Sequence, residues 1–175
     1  MNGTKSRIDR AQRIKDEAII ADLVRFTARS FSTSTPVPFG AAVVETRTGK
    51  LFYQGRNAVM RESDPSAHAE TRAVRKASRK LGRPSLAGYT LYSTCEPCPM
   101  CMAAALWAGV DRVVYGATIA DANQHCRQIH IPAREVAKRS DMPCSVDGEV
   151  LRKECRALFD DPRMQRAFRS WSTRK

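Results

Sequence analysis

Between residues 38 and 117 the sequence alternates between strand-like and helix-like patterning, and this alternation limits the fold more than any other feature. The run PFGAAVVE, the pair Thr48-Gly49 and then LFYQG read as two strands joined by a tight turn, a β-hairpin. Asp64-Pro65 predicts a helix start, with the aspartate accepting from free backbone N–H groups and the proline preset at the first helical position. That helix runs to about Leu81, and Gly82 closes it as a left-handed stop. YTLYS is short and rich in β-branched and aromatic residues, as a strand should be. Pro97 opens a second helix over CPMCMAAALWAG, apolar almost all round and so expected to be buried. RVVYGA follows as a strand. Strands alternating with helices predict an α/β layered domain with helices on both faces of the sheet.

The flanks are less regular. Over residues 7–30, Ile8, Ala11, Ile14, Ala18, Ala21 and Val24 recur at helical spacing, with Ile20 and Leu23 widening the stripe. Further helices are expected near residues 132–138, 149–159 and 161–171, with a short strand around 144–146. We expect a single domain over 1–175: a helix and connector in 1–35, a motif-bearing core in 38–117 and a helical region in 118–175. A hydrophobic content of 42% over 175 residues suffices for a core. The net charge of +12 makes phosphate-bearing partners plausible but names no substrate. Six cysteines could form disulfides in a secreted chain, yet the first residues hold no apolar run of signal-peptide length. Asp9, Asp16 and Glu17 also argue against an organelle transit peptide. The expectation is a cytoplasmic protein with reduced cysteines. No stretch approaches the roughly 20 apolar residues of a membrane span.

The chemistry sits at the starts of the two central helices, in His68-Ala69-Glu70 and in Pro97-Cys98-Pro99-Met100-Cys101. Either half alone is weak, because a Cys-x-x-Cys serves redox pairs and structural zinc equally well. Together, in this order, they fit the signature of zinc deaminases. A helix N-terminus favours thiolates, and zinc suits a His/Cys/Cys set. Three protein ligands leave a fourth tetrahedral position for water, whereas a structural site is normally closed. Zinc brings the pKa of such a water from near 16 to about 7. Glu70 is the expected proton carrier. It lies two residues from His68, a spacing that shares no helix face, so both reach one centre only if the site lies off the first turn.

PFGAAVV, Asn57 in GRN, DPSAHAE, LYSTCEPCPMC and RVVYGA resemble the cytidine deaminase superfamily. Within it they resemble the branch of guanine deaminases, fungal-type cytosine deaminases and bacterial tRNA adenosine deaminases. The resemblance covers residues 38–117. It implies a three-layer α/β/α fold with a mixed sheet of about five strands, usually assembled as a homodimer. It also implies Zn2+ on His68, Cys98 and Cys101, proton transfer by Glu70, and contact of Asn57 with the base. The substrate it implies is a small-molecule nucleobase or nucleoside, guanine deaminase-like. Two alternatives stand beside it: a tRNA adenosine-to-inosine deaminase, and a nucleic-acid-binding protein with a non-catalytic zinc site.

Other residues carry weaker readings. Asp121, Glu135 and Glu149 are candidates for an acidic group holding the base, and FRSWSTRK is a poor match to a pocket-closing tail. Arg72, Lys76 and Arg79, and likewise Arg163, Arg166 and Arg169, could follow RNA phosphates but read better as solvated helix faces. Trp107 reads as core before pocket wall, and Cys95 as a buried small residue. Cys126, Cys144, Cys155, His125 and His130 show no metal-binding pattern.

Overall fold

The computed structural model describes residues 9–172. In chain order it holds α1 (Arg10–Ala28), a 3-10 turn (Arg29–Ser32), β1 (Gly40–Glu45), β2 (Leu51–Arg56) and α2 (Val59–Glu62). There follow α3 (Ala69–Leu81), β3 (Tyr89–Cys95), α4 (Pro99–Trp107), β4 (Arg112–Ala117), α5 (Ile119–Asn123) and α6 (Ala133–Lys138). The chain closes with β5 (Ser145–Asp147), α7 (Arg152–Asp160) and α8 (Pro162–Ser172).

The five strands form one mixed sheet in the order β2-β1-β3-β4-β5. The expected hairpin pairs β1 with β2 antiparallel, its turn carrying Gly49 at φ 73°. β1 is also antiparallel to β3, while β3, β4 and β5 run parallel. Helix α4 is therefore the crossover between two parallel strands, and its N-terminus stands at the carboxyl edge of the sheet, where open α/β folds place their ligands.

The two-residue period of β1 splits the core. Ala41 and Val43 pack toward Ala73 and Ala77 of α3 and Met102 and Ala105 of α4. Ala42 and Val44 belong to the opposite cluster, with Ile20 and Leu23 of α1, Leu158 and Phe159 of α7, and Met164 of α8. The result is the expected α/β/α sandwich. At Gly116 an added Cβ would stand 2.1 Å from Cys155 Sγ, so only glycine lets α7 lie this close to β4.

Two expectations about the flanks need correction. In α1 the buried residues are Asp16, Ile20, Leu23 and Thr27, whereas Ile14 is 59% exposed; Ile8 lies outside the described residues. The helix is rotated because Asp16 is fully buried. It accepts hydrogen bonds from both terminal nitrogens of Arg112, at 2.9 and 2.8 Å, and from the Tyr92 hydroxyl at 2.7 Å. Apolar periodicity cannot find a face whose anchor is a charge. The helix expected from residue 149 begins only at Arg152, because Glu149 and Leu151 take left-handed backbone angles (φ 65° and 48°). The short strand falls one residue later than expected, and helices α6 and α8 lie close to their expected places. Among the described residues no helix is long and apolar enough to cross a membrane.

Candidate metal and catalytic site

Helix α3 does not start at Asp64-Pro65. The Asp64 carboxylate accepts from the Ser66 amide at 2.8 Å and from its hydroxyl at 2.7 Å, closing a turn, and the helix begins at Ala69. His68 is consequently the cap residue, in an extended conformation (φ −64°, ψ 156°), while Glu70 sits in the first turn. This break in backbone conformation lets residues two apart aim at the same place. The same construction recurs at α4: Cys98 is an extended cap residue (φ −63°, ψ 167°), Pro99 takes the first helical position, and Cys101 lies in the first turn.

The two N-termini converge. His68 Nδ1 is 3.6 Å from Cys98 Sγ and 3.5 Å from Cys101 Sγ, and the two sulfurs are 3.6 Å apart. A tetrahedral zinc ion with bonds of about 2.0–2.1 Å to nitrogen and 2.3 Å to sulfur requires ligand–ligand edges of roughly 3.6–3.8 Å. The triangle fits that requirement, and among the described residues these three form the His/Cys/acid group able to hold a metal ion.

The electrostatics of the triangle are unequal. The hydrogen bond from Cys101, helped by His68, lowers the Cys98 thiol to about 4 against the cost of burial. The same bond, seen from Cys101, pushes that thiol well up, and burial adds to it. His68 is raised chiefly by its hydrogen bond with Cys98. The shared hydrogen bond thus favours one thiolate in the pair, and a divalent cation would displace the remaining proton.

Glu70 is buried. Its Oε1 accepts from Ser93 Oγ at 2.7 Å and its Oε2 from Cys101 Sγ at 3.4 Å. Burial raises its pKa, so the carboxyl holds a proton more readily than one in water.

These groups open into a cavity of about 480 Å³, with His68, Glu70 and Cys98 on its floor and Asn57 on its side. The Asn57 Oδ1 accepts from the Val59 amide at 3.1 Å, which leaves its NH2 without a partner among the described residues. Phe39 and Trp171 add aromatic surface, and Arg127 and Gln128 come from the segment after α5. Gln128 donates to Cys126, so its Oε1 is available to a ligand.

Several of these residues were not found from the sequence. Glu96 is buried beside the cavity and accepts from the amides of Ile119 at 3.1 Å and Ala133 at 2.9 Å, pinning the segment that forms one wall. A carboxylate between the strand YTLYS and the cysteine motif was its visible signal. Trp171 belongs to FRSWSTRK, which reads from the sequence as a poor match to a pocket-closing tail, yet it lines the cavity; Gln128 had no local signal.

The proposed acidic groups do not reach this cavity. Asp121 forms a capping box with Thr118 and pairs with Arg152; Glu135 pairs with Arg139, and Glu149 with Arg152. Trp107 is 78% exposed, neither core nor wall of this cavity. Cys95 is buried as expected. Arg72 does not belong to a solvated row: it is buried, donating to the Arg56 carbonyl and pairing with Glu62. Arg163 is tied to Asp161 and lies over the Phe31 ring. His125 stacks between Phe159 and Phe168, away from the metal-binding triangle.

Comparison with known proteins agrees with this geometry. Residues 13–117 match the model of the cytidine and deoxycytidylate deaminase zinc-binding region. The chain is 46% identical over 85 residues to a guanine deaminase of Bacillus subtilis, a match covering 49% of this chain and 53% of that one. It thus spans about half the length of that relative. It is 32% identical over 135 residues to a tRNA-specific adenosine deaminase of Buchnera aphidicola, covering 77% of this chain and 80% of that one. The solved structure of a guanine deaminase from Nitrosomonas europaea shares the fold with a TM-score of 0.75 at 23% identity, over 97% of this chain and 98% of that one. Its fold, its His/Cys/Cys triangle and the matched residues together place this chain in the cytidine and deoxycytidylate deaminase family.

Proposed function

We propose that the protein is a zinc-dependent hydrolytic deaminase of a nucleobase, guanine deaminase-like. The observation that carries this reading is the cavity itself, with a buried Glu70, its pKa raised by that burial, beside three donors at zinc-like spacing. Asn57 and Gln128 supply a donor and an acceptor for a heterocycle edge, and Phe39 and Trp171 supply apolar surface for its faces. The similarity to the Bacillus guanine deaminase supports the choice of base.

In this reading His68, Cys98 and Cys101 hold the zinc ion, which supplies Lewis acidity and makes water a competent nucleophile near neutral pH. Glu70 takes a proton from the attacking water at a carboxylate oxygen and delivers it to a ring nitrogen. It then carries the second proton to the departing amine. The carbon gains an oxygen, loses ammonia and ends as a carbonyl. Ser93 holds Glu70 Oε1 in place throughout.

A second reading, deamination of adenosine in tRNA, is favoured by the longer alignment with the Buchnera enzyme. A homodimer would cover the exposed side of α4, where Trp107 stands beside Ile131. All six cysteines are free, in keeping with a cytoplasmic setting. Ammonia release and product mass with guanine, cytosine, adenine, their nucleosides and a tRNA anticodon stem-loop test the reading. Turnover of a free base or nucleoside supports it, turnover of the RNA alone moves the substrate to tRNA, and silence at full zinc occupancy overturns it.

A further inference from the structure

A second cavity, of about 290 Å³, adjoins the catalytic one and shares Asn57 and Met60 with it. Its lining is of a different kind. Three guanidiniums face it, Arg56, Arg61 and Arg72, together with the hydroxyl residues Ser30, Thr33 and Thr35.

These cations are under-compensated. Among the described residues Glu62 is the one carboxylate against them, and it is divided among Arg72 at 2.9 Å, Arg61 at 3.2 Å and Arg75 at 3.6 Å. Arg56 has no carboxylate partner among the described residues. It donates Nε and a terminal nitrogen to the Phe26 carbonyl at 3.0 and 2.6 Å and stacks over that ring, 4.1 Å from its centroid. Arg29 lies 5.5 Å from the same centroid, so a fourth cation borders the site. Burial and the nearby Arg29 and Arg61 pull the Arg56 pKa below its ordinary value, as crowding of like charge requires.

Arg72 adds an independent observation. Its residue is 8% exposed, and its Nε is a buried donor with no hydrogen-bond partner. An orphaned donor on a buried cation is costly, and it leaves the charge of this guanidinium poorly compensated at the edge of the cavity. Guanidiniums and hydroxyls around a small polar cavity match the oxygens of a phosphate group.

We propose that this cavity is a phosphate subsite: Arg56, Arg61 and Arg72 take the phosphate of a nucleotide unit whose base enters the adjoining catalytic cavity. The base half of the statement rests on the deaminase reading above; the phosphate half stands on the second cavity alone. The phosphate can be a monoester on a free nucleotide or a diester in a polynucleotide, and both present the same non-bridging oxygens.

The test uses the zinc-loaded full chain and inorganic phosphate as probe, titrated calorimetrically between about 50 and about 200 mM salt. Saturable binding that weakens with salt is expected. Arg61→Gln and Arg56→Gln should each weaken it on the order of tenfold, with melting curves showing that the variants fold. Arg61 is largely exposed, so its substitution leaves the fold intact even if that of Arg56 does not. Nucleoside 5′-monophosphates and a short single-stranded RNA, each competed against phosphate, separate the two sources by which displaces it at lower concentration. Absence of saturable phosphate binding on a protein that deaminates a free base overturns the subsite and leaves the deaminase reading standing. Phosphate binding that ignores both substitutions overturns its placement. Phosphate binding without deamination of any base overturns the base half alone.

Discussion

The floor of the catalytic cavity and its wall are built in contrasting ways. The floor comes from two helix N-termini set against the middle of the sheet, with Cys101 and Ala69 fully buried and Ser93 of β3 bonded to Glu70. Its geometry follows from short local segments, a cap residue and a first turn in each case. The wall comes from the segment after α5 and from α8, brought together over long sequence distances and fastened by Glu96, by stacking of Phe159 on Phe168 and by edge-to-face packing of Phe168 with Trp171. A floor of this kind fixes the reaction, and a wall of this kind can vary to choose the substrate.

The comparison predicts a ranked set of effects. Cys101→Ala should remove the metal and abolish turnover, because two donors cannot hold zinc against competition. Zinc content by mass spectrometry, alongside ammonia release, checks this; a variant that keeps both would break the account of the floor. Glu96→Ala leaves two backbone amides without an acceptor and should cost about 2–4 kcal/mol in denaturant unfolding. A loss under about 0.5 kcal/mol would mean that the wall does not depend on this clamp. Trp171→Ala should raise KM roughly tenfold with kcat within about twofold, the signature of lost substrate binding without lost chemistry. An equal fall in kcat would place α8 in the chemical step.

The smallest effect concerns the capping box under the wall. The hydrogen bond from Arg152 holds the Asp121 carboxyl at about 2. A carboxyl lowered on folding stabilises the protein above its unfolded value near 4, and this contribution disappears as pH falls from there through 2. Because Arg152 is 41% exposed, screening limits the effect to about 1–2 kcal/mol. Asp121→Asn should therefore be less stable than the parent at pH 6 and nearly equal to it at pH 2. A constant gap across that range would contradict the assignment.

The same contrast explains what could be read from the sequence. The hairpin, the central strands and helices, and the His/Cys/Cys set with Glu70 were legible, because each depends on spacing within a few residues; Asn57 came from the family resemblance alone. The start of α3 was misplaced because Asp64 is a helix-capping residue type that here closes a turn with Ser66. The buried face of α1 was missed because its anchor, Asp16, is matched by Arg112 and Tyr92 far along the chain. Gln128 and the guanidiniums of the second cavity were illegible for the same reason: their neighbours are set by tertiary packing, and no periodicity records that.

Glu70→Gln tests the proton-transfer role of Glu70 most sharply, because it keeps shape and removes the ability to carry a proton. Zinc content and ammonia release are measured on the same sample, with the base that the parent protein turns over. Full zinc occupancy and a fall in kcat of at least about 10³ are expected. Turnover within about threefold of the parent, at equal zinc content, would contradict that role.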